Sequence, residues 1–312
     1  MNIVLFGGAG FIGTNLVFEL AKNTDNHIIV VDRNEEFFAF FESKGLSNVK
    51  CVQATLSEQD DFDSLLSGGD VVYHLVSTTV PTTSNQHIAE ELRYNMMYSA
   101  ALLEACVRRN IKRVVFFSSG GTVYGKEVKC PLGENTSTNP ITSYGVQKLV
   151  TEKLLYLYHY MHGLDYRIIR LTNPYGPYQR PNGVLGAITT FTYKALKNEE
   201  IAVYGDGSVV RDFIYIDDAI RGIINVAEGD SDQRIFNLGC GYGTSILKVL
   251  ETIGKVLNTE LKVKFLEGRK VDVPVNYLDI SQYESTYGKL NPIGLEEGIR
   301  KTADFLRMFY SI

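Results

Sequence analysis

The chain has 312 residues, of which 45% are hydrophobic, and 31 basic against 36 acidic side chains give it a formal net charge of −5. A chain of this length can form one large domain or two closely packed ones. The slight acidic excess, without a basic run, argues against nucleic acid as a partner, and no apolar stretch approaches the roughly 20 residues of a membrane-spanning helix. The cysteines are scattered, with no Cys-x-x-Cys pair and no histidine at metal-ligand spacing, which predicts reduced thiols in a cytoplasmic protein and no metal site.

Short runs rich in Val and Ile recur in the first half of the chain, at residues 2–7, 27–32, 49–53, 70–76, 112–119 and 166–172. Their apolarity is nearly continuous rather than alternating, which is typical of parallel strands that are covered on both faces. Helix-length segments separate them, and the two longest predicted helices cover residues 86–109 and 143–162. This alternation predicts an α/β fold with a Rossmann-type, doubly wound parallel sheet.

The alternation of apolar strands and helices ends near Pro174. Residues 173–183 are rich in Pro, Gly and Asn and are predicted to form a loop, and a helix is predicted near 184–197. We find neither a flexible linker nor an internal repeat. We therefore expect one compact protein with a Rossmann domain and a smaller C-terminal α/β substrate-binding lobe. The predicted Rossmann domain comprises residues 1–172 and a returning segment near 212–238, and the lobe comprises residues 173–211 and 239–312.

A glycine-rich turn stands between the first strand and the first helix. Gly7, Gly10 and Gly13 follow the spacing G-x-x-G-x-x-G, and Phe11 and Ile12 belong to the same turn. Glycines at these positions let the backbone turn tightly and approach a pyrophosphate at the positive end of the following helix. Because a strand precedes the turn and a helix follows it, the pattern predicts a dinucleotide site.

Asp32 ends the second predicted strand, nineteen positions after Gly13. A carboxylate at this point accepts hydrogen bonds from the adenosine ribose and repels a 2′-phosphate. It therefore favours NAD, although Arg33 beside it leaves some room for NADP. Without the glycine turn, Asp32 would read as a solvated residue at a strand end.

Tyr144 and Lys148 are four residues apart and therefore share one face of a helix. A nearby cation stabilises phenolate and lowers the pKa of a phenol, which suits a general base. Such a pair alone is common by chance and could be an exposed helix face. It is more specific here because the strand at 112–119 ends in the hydroxyls and glycines of Ser-Ser-Gly-Gly-Thr at 118–122.

Together these features resemble the extended short-chain dehydrogenase/reductases that act on nucleotide sugars, and most closely the UDP-hexose 4-epimerases. The resemblance covers nearly the whole chain. Beyond the motifs above it includes HLVS at 74–77, Asn95, SSGGTVYG at 118–125, NPYGP at 173–177, YGDGSVVRDFIYIDD at 204–218 and GRKVDVP at 268–274.

The resemblance implies epimerisation at C4 of a UDP-hexose through a transient 4-keto sugar. Tyr144 as phenolate would take the proton of the sugar 4-hydroxyl while hydride passes from C4 to tightly bound NAD. Lys148 would hold the nicotinamide ribose and lower the tyrosine pKa. The sugar then rotates, and the hydride returns to its other face.

Further cofactor contacts are implied by the resemblance, at Thr55, Leu56, Leu75, Val76, Ser77, Asn95 and Ser118. The family commonly has an Asp where Thr55 stands, contacting the adenine. Thr55 carries no charge, so adenine recognition would depend more on the backbone near Leu56.

Gly120 is the clearest departure from the family, which usually has a Ser or Thr four residues before the tyrosine of Val-Tyr-Gly. That hydroxyl bridges the substrate and the catalytic phenol. Thr122, and with less support Ser119, could replace it here. In the alternative reading the segment is only a turn.

The C-terminal lobe is implied to clamp the nucleotide sugar. Arg211 and Arg269 would bind the diphosphate, because guanidinium groups match phosphate oxygens with paired hydrogen bonds. Asp272 would bind the nucleotide ribose, Asn173 the diphosphate or sugar, and Tyr204 is also expected to contact the substrate. In the alternative reading, the pairs Arg211–Asp212 and Arg269–Asp272 are surface ion pairs of little energetic consequence.

Asn276 stands four positions after Asp272, where the family residue walls the pocket near the sugar 2-substituent. A tyrosine there excludes an N-acetyl group, so the smaller Asn276 predicts that UDP-GlcNAc and UDP-GalNAc are accepted besides, or instead of, UDP-glucose and UDP-galactose. In the alternative reading, Asn276 caps a turn after Pro274.

The alternatives to a 4-epimerase are another NAD-dependent nucleotide-sugar epimerase, a 4,6-dehydratase and a non-enzymatic dinucleotide sensor. A dehydratase would have an acid where Gly121 and Thr122 stand, and a sensor typically loses the Tyr/Lys pair. The family also implies a homodimer, in which helices 86–109 and 143–162 of two chains form a four-helix bundle. It further implies a role in polysaccharide biosynthesis.

Overall fold

The computed structural model describes residues 1–77, 84–181, 186–269 and 273–312. By their contacts they form two compact units. Unit 1 comprises Met1–Ser119, Thr142–Ile169 and Val226–Ile235, and unit 2 comprises Gly120–Ile141, Arg170–Asn225 and Phe236–Ile312. The predicted ranges of the functional domains stay a prediction, because the units are defined by contacts and not by what they bind.

The strands in the described part of the chain are β1 (Asn2–Phe6), β2 (His27–Asp32), β3 (Val49–Gln53), β4 (Val71–His74), β5 (Arg113–Ser119), β6 (Asp165–Leu171), β7 (Asn173–Tyr175), β8 (Ile201–Tyr204), β9 (Val210–Arg211), β10 (Phe213–Tyr215), β11 (Ile235–Leu238), β12 (Thr244–Ser245), β13 (Val263–Leu266) and β14 (Val275–Asn276). The α-helices are α1 (Phe11–Leu20), α2 (Ala39–Glu42), α3 (Phe62–Leu65), α4 (Ile88–Arg108), α5 (Ser143–His162), α6 (Ala187–Leu196), α7 (Ile216–Glu228), α8 (Ile246–Leu257), α9 (Ser281–Tyr287) and α10 (Leu295–Tyr310). Each of the six strands and three helices predicted above is present, within three residues at either end.

Seven strands form one sheet in the order β11-β6-β5-β4-β1-β2-β3. The pairs β1–β2, β1–β4, β2–β3 and β4–β5 are parallel. The chain order reverses between β1 and β4, and ligands of such sheets bind at the carboxyl ends of the strands beside this reversal. The predicted doubly wound α/β fold is confirmed.

The core of unit 1 explains why α4 and α5 lie on the sheet. Apolar side chains of both helices are buried against strand residues such as Val4, Val72 and Phe116. Thr142 caps α5 by accepting a hydrogen bond from the Gly145 N–H at 3.2 Å, and the helix ends at Gly163, whose φ of 72° suits glycine. These signals hold Tyr144 in the first turn of α5.

Unit 2 consists of short strands and of helices that cover them. β10 pairs with β7, β13 pairs with β8, and β9 lies between β12 and β14. Its apolar core includes Ile201, Val203 and Leu250. Among the described residues, no helix is both long and apolar enough to cross a membrane, and they contain no group of His, Cys, Asp and Glu side chains suited to a metal ion.

Candidate active site

The glycine turn of unit 1 is shaped so that side chains would block it. Gly7 has a φ of 78°, and a Cβ there would lie 3.1 Å from the Val76 nitrogen. A Cβ on Gly13 would lie 2.5 Å from the Gly8 oxygen, so α1 approaches the turn as closely as only glycine allows. Gly10 precedes α1, whose first turn contains Phe11 and Ile12. The positive N-terminal end of α1 therefore lies beside a turn of glycines that carry no side chains. A pyrophosphate could bind at such a helix end.

Asp32 is held beside this turn by two backbone hydrogen bonds. Its Oδ2 accepts from the Ala9 N–H and its Oδ1 from the Asn34 N–H, both at 3.1 Å. Arg33 and Thr55 are exposed and Leu56 is half-buried. The carboxylate therefore stands where the sequence predicts the ribose contact of NAD.

The other predicted cofactor residues come from β4, α4 and α5. Leu75, Val76 and Ser77 directly follow β4 and are half-buried. Asn95 is buried on α4, and its Nδ2 donates to the Glu91 carbonyl at 2.9 Å. Val76, Ser77 and Asn95 line a small cavity in unit 1, together with Lys148. The structure thus brings these predicted residues together around one cavity.

Lys148 places a buried ammonium group near Tyr144. Only 6% of Lys148 is exposed, and its Nζ donates to the Phe117 carbonyl at 2.8 Å and lies 5.5 Å from the centre of the Tyr144 ring. Burial lowers the pKa of Lys148 to about 8, while the charge of Glu152 opposes this shift. Burial also raises the pKa of Tyr144 to about 12, and a hydrogen bond with Ser119 opposes that rise.

The hydroxyls at and after the end of β5 have different partners from those expected, since the sequence favoured Thr122 over Ser119 as the neighbour of Tyr144. Ser118 Oγ donates to Glu152 Oε1 at 2.5 Å, whereas Ser119 hydrogen-bonds the Tyr144 side chain. The Thr122 Oγ1 is buried and has no hydrogen-bond partner in the described part of the chain. Of the two candidates for the bridging hydroxyl, Ser119 and not the favoured Thr122 therefore hydrogen-bonds Tyr144, and the bridging role itself stays a prediction.

A side chain at Gly120, such as the family's Ser or Thr, would require Leu278 to move. A Cβ at this position would lie 2.6 Å from Leu278 Cδ1 and 3.1 Å from the Arg170 carbonyl oxygen. Leu278 fills the space that a Ser or Thr would need. Gly120 and Leu278, which are distant in the sequence, are therefore packed against each other in unit 2.

The predicted substrate residues of unit 2 have defined surroundings. Arg211 Nη1 donates to the carbonyls of Val210 and Val273 at 2.8 and 2.6 Å. The Arg269 guanidinium lies 4.3 Å from the centre of the Tyr204 ring, a cation–π contact on the surface.

Asn173 is also tied down, since its Nδ2 donates to the Asp212 carbonyl at 2.8 Å. Asp272 lies outside the described residues, and the predicted substrate roles of this set stay predictions.

Asp212 is not the partner in a surface ion pair that the alternative reading required. It is fully buried, and its carboxylate accepts the backbone N–H groups of Cys240 at 2.7 Å and of Gly241 and Leu278 at 3.3 Å. Burial raises its pKa to about 6 against these hydrogen bonds. Nothing in the residue type distinguishes such an anchor from a surface aspartate, so sequence reasoning missed it.

Asn276 is a buried strand residue and does not cap a turn. It belongs to β14, pairs in register with Arg211, and is 1% exposed. Its Nδ2 donates to the Gly120 carbonyl at 3.4 Å. The Oδ1 is buried without a hydrogen-bond partner among the described residues, an unsatisfied acceptor that a ligand could complete.

Glu152 is a second residue that sequence reasoning missed. It is buried four positions after Lys148 on α5, and this spacing on one helix face was the signal that could have found it.

Comparison with known proteins agrees with this geometry. A model of the NAD dependent epimerase/dehydratase family matches residues 3–239. The chain is 31% identical over 309 residues to a putative UDP-glucose 4-epimerase of Methanocaldococcus jannaschii, covering 98% of both chains.

Two solved structures are similar along the full length. The UDP-glucose 4-epimerase of Thermotoga maritima, solved with UDP-glucose, has a TM-score of 0.91 and 31% identity, over 99% of this chain and 100% of that one. The UDP-N-acetylglucosamine 4-epimerase of Methanobrevibacter ruminantium, in complex with UDP-N-acetylmuramic acid, has a TM-score of 0.90 and 30% identity, over 100% and 99% of the two chains. The predicted family is confirmed: this chain belongs to the NAD dependent epimerase/dehydratase family.

Proposed function

We propose that this protein interconverts the C4 epimers of UDP-hexoses, UDP-glucose and UDP-galactose among them, through a transient 4-keto sugar. One observation carries the proposal: Ser119 hydrogen-bonds Tyr144 while the buried Lys148 ammonium lies 5.5 Å from the same ring. A buried cation stabilises the phenolate form of a tyrosine, and the phenolate can take the proton of a hydroxyl while hydride leaves the same carbon. Tyr144 and Lys148 both belong to this chain, so the protein itself supplies the base for the reaction.

The protonation states of Tyr144 and Lys148 show that Tyr144 must lose its proton before it can act as a base. With a pKa of about 12 the phenol is protonated at neutral pH, while Lys148, with a pKa of about 8, is mostly charged. The lysine charge favours phenolate once a proton can leave, and Ser119 stabilises it by a hydrogen bond. Bound NAD supplies the hydride acceptor, and the turn at Gly7 and Gly13 with Asp32 would hold it.

We assign the diphosphate of the substrate to Arg211 and Arg269. The stacking of Arg269 on Tyr204 limits the positions of its guanidinium group, and hydrogen bonds to two carbonyls do the same for Arg211. A guanidinium held in place loses less conformational entropy when it binds phosphate. Asn173 and Asp272 complete the proposed contacts to the nucleotide sugar.

The proposed substrates include UDP-GlcNAc and UDP-GalNAc. Asn276 has a buried carbonyl oxygen without a partner among the described residues, and an acetamido N–H could donate to it. Asn276→Tyr should lower kcat/KM for UDP-GlcNAc far more than for UDP-glucose, because the larger ring would occupy this space. An unchanged ratio of the two values would show that Asn276 does not set specificity.

The function is tested with purified protein and no added reductant. We expect denatured protein to release NAD and the native enzyme to convert UDP-glucose into UDP-galactose, detected by chromatography of the nucleotide sugars. Release of NAD without conversion of any UDP-hexose would favour the dinucleotide sensor. Formation of a 4-keto-6-deoxy sugar would favour a 4,6-dehydratase, for which Gly121 and Thr122 offer no acid.

We also propose a homodimer in which α4 and α5 meet their copies. These helices expose several large apolar side chains: Tyr94, Met97, Tyr156, Leu157, Tyr160 and Met161. Leu155 of α5 is not part of this surface, because it is buried in the core of unit 1. Light scattering should give twice the monomer mass at micromolar concentration, and a monomer there would contradict the proposal.

A cytoplasmic location is proposed from the four cysteines, all of which are free thiols. Cell fractionation would test it.

A further inference from the structure

Glu152 is a carboxylate buried in unit 1 one helical turn after Lys148. Only 3% of Glu152 and 6% of Lys148 are exposed. Transfer of an isolated charge into a protein interior is costly unless an opposite charge or hydrogen bonds compensate it. Residues four apart on one helix face have Cβ atoms about 5–6 Å apart, and the charge of Glu152 acts on Lys148 against the effect of burial.

Two adjacent residues of β5 hold these side chains. Ser118 Oγ donates to Glu152 Oε1 at 2.5 Å, and Lys148 Nζ donates to the Phe117 carbonyl at 2.8 Å. The Glu152 carboxylate and the Lys148 ammonium thus bond to consecutive residues of β5. Both side chains are anchored to the same strand in the interior of unit 1.

The other groups around Lys148 do not balance its charge. His74 of β4 is neutral, since burial and the Lys148 charge lower its pKa to about 3. Tyr144 on α5 is protonated at neutral pH. From α4, Asn95 and Ser99 line the adjacent cavity and do not titrate.

Tyr166 of β6 interacts with Glu152, and burial raises its pKa, so it is also neutral. Among the described residues that interact with the ammonium, Glu152 supplies the negative charge.

We propose that Glu152 is a positioning residue that keeps Lys148 in its charged form during the reaction. The proposal rests on the proposed function, in which the Lys148 charge favours the phenolate of Tyr144. Without the carboxylate, burial would favour the neutral amine, and the phenol would lose its cation. Glu152 acts through Lys148 and does not touch the sugar.

The pH dependence of kcat separates this role from a structural one. In Glu152→Gln the alkaline limb of the profile should move to lower pH by about one unit or more, the shift expected when an opposite charge nearby is lost. Glu251→Gln is the matched control, because it removes an exposed carboxylate on α8, and its limb should stay in place. A loss of kcat that is equal at every pH, with no shift of the limb, would overturn the proposal.

A measurement that needs no activity keeps the proposal separate from the proposed function. Protein labelled with ¹³C at the lysine ε carbon would show the Lys148 resonance, assigned by its absence in Lys148→Met. We expect Lys148 to be charged at pH 7 in the wild type and to lose its proton about one unit or more lower in Glu152→Gln. A neutral wild-type Lys148 at pH 7, or an unmoved titration in the variant, would overturn the proposal. If Glu152→Gln fails to fold, a neutral wild-type Lys148 at pH 7 would still overturn the proposal.

Discussion

The hydroxyl that serves Tyr144 can be identified by comparing Ser119→Ala with Thr122→Val. Ser119 hydrogen-bonds the tyrosine side chain and lowers its pKa against the effect of burial. The Thr122 Oγ1 is buried without a partner among the described residues. Ser119→Ala therefore removes a hydroxyl that hydrogen-bonds the proposed base, whereas Thr122→Val removes a buried hydroxyl that has no hydrogen-bond partner among the described residues.

The size of each effect follows from these situations. A hydrogen bond to an ionised group contributes about 1.5–3 kcal/mol, and each 1.36 kcal/mol changes a rate tenfold, so Ser119→Ala should lower kcat by roughly 10- to 150-fold. Thr122→Val conserves volume and removes an unsatisfied buried hydroxyl. It should raise the free energy of unfolding by about 1–3 kcal/mol and change kcat little.

The assay is steady-state turnover of UDP-glucose, with urea unfolding of the same samples. Ser119→Thr is the control, because it keeps the hydroxyl at position 119 and should retain most of the activity. A larger loss of kcat in Thr122→Val than in Ser119→Ala would refute this reasoning and restore Thr122 as the bridging group.

Tyr144→Phe should keep the fold and the bound NAD but lose at least ~10²-fold in kcat, the usual contribution of one proton-transfer group; near-normal turnover would remove Tyr144 from the mechanism. Gly298→Ala should lose about 1–3 kcal/mol in urea unfolding, because its Cβ would lie 2.0 Å from the Tyr175 hydroxyl oxygen. Gly133→Ala, where a Cβ meets open space, should lose much less, and equal losses would contradict the packing argument. The pKa of His74 falls from 6.5 to about 3 on folding, so its contribution to stability is complete above pH 6.5 and is lost as the pH falls towards 3. Thermal unfolding from pH 7 to 4 should therefore show a steeper loss of Tm for the wild type than for His74→Gln, and parallel curves would speak against the shift.

The fold of unit 1 could be predicted because its signals are local and repeated. Strands β1, β2, β4 and β5 each contain an uninterrupted apolar run, and α5 begins and ends at the predicted residues because Thr142 caps it and Gly163 ends it. In unit 2 several strands have only two or three residues, such as β9 and β14. Segments this short have no detectable period, so they could not be predicted individually.

The same distinction applies to the site. Spacing on a helix was enough to pair Tyr144 with Lys148. The choice between Ser119 and Thr122 depends instead on where each hydroxyl lies in the fold, because Ser119 hydrogen-bonds Tyr144 whereas the buried Thr122 hydroxyl has no partner among the described residues. Likewise, only burial shows that Asp212 is an internal anchor and not one half of a surface ion pair.

The central claim is that the protein oxidises C4 of a UDP-hexose and returns the same hydride to the opposite face. Incubation with UDP-glucose deuterated at C4, followed by NMR and mass spectrometry of the UDP-galactose formed, tests it directly. We expect the product to keep deuterium at C4, because the hydride held during the reaction does not exchange with water. UDP-galactose that has lost its deuterium to solvent would contradict it.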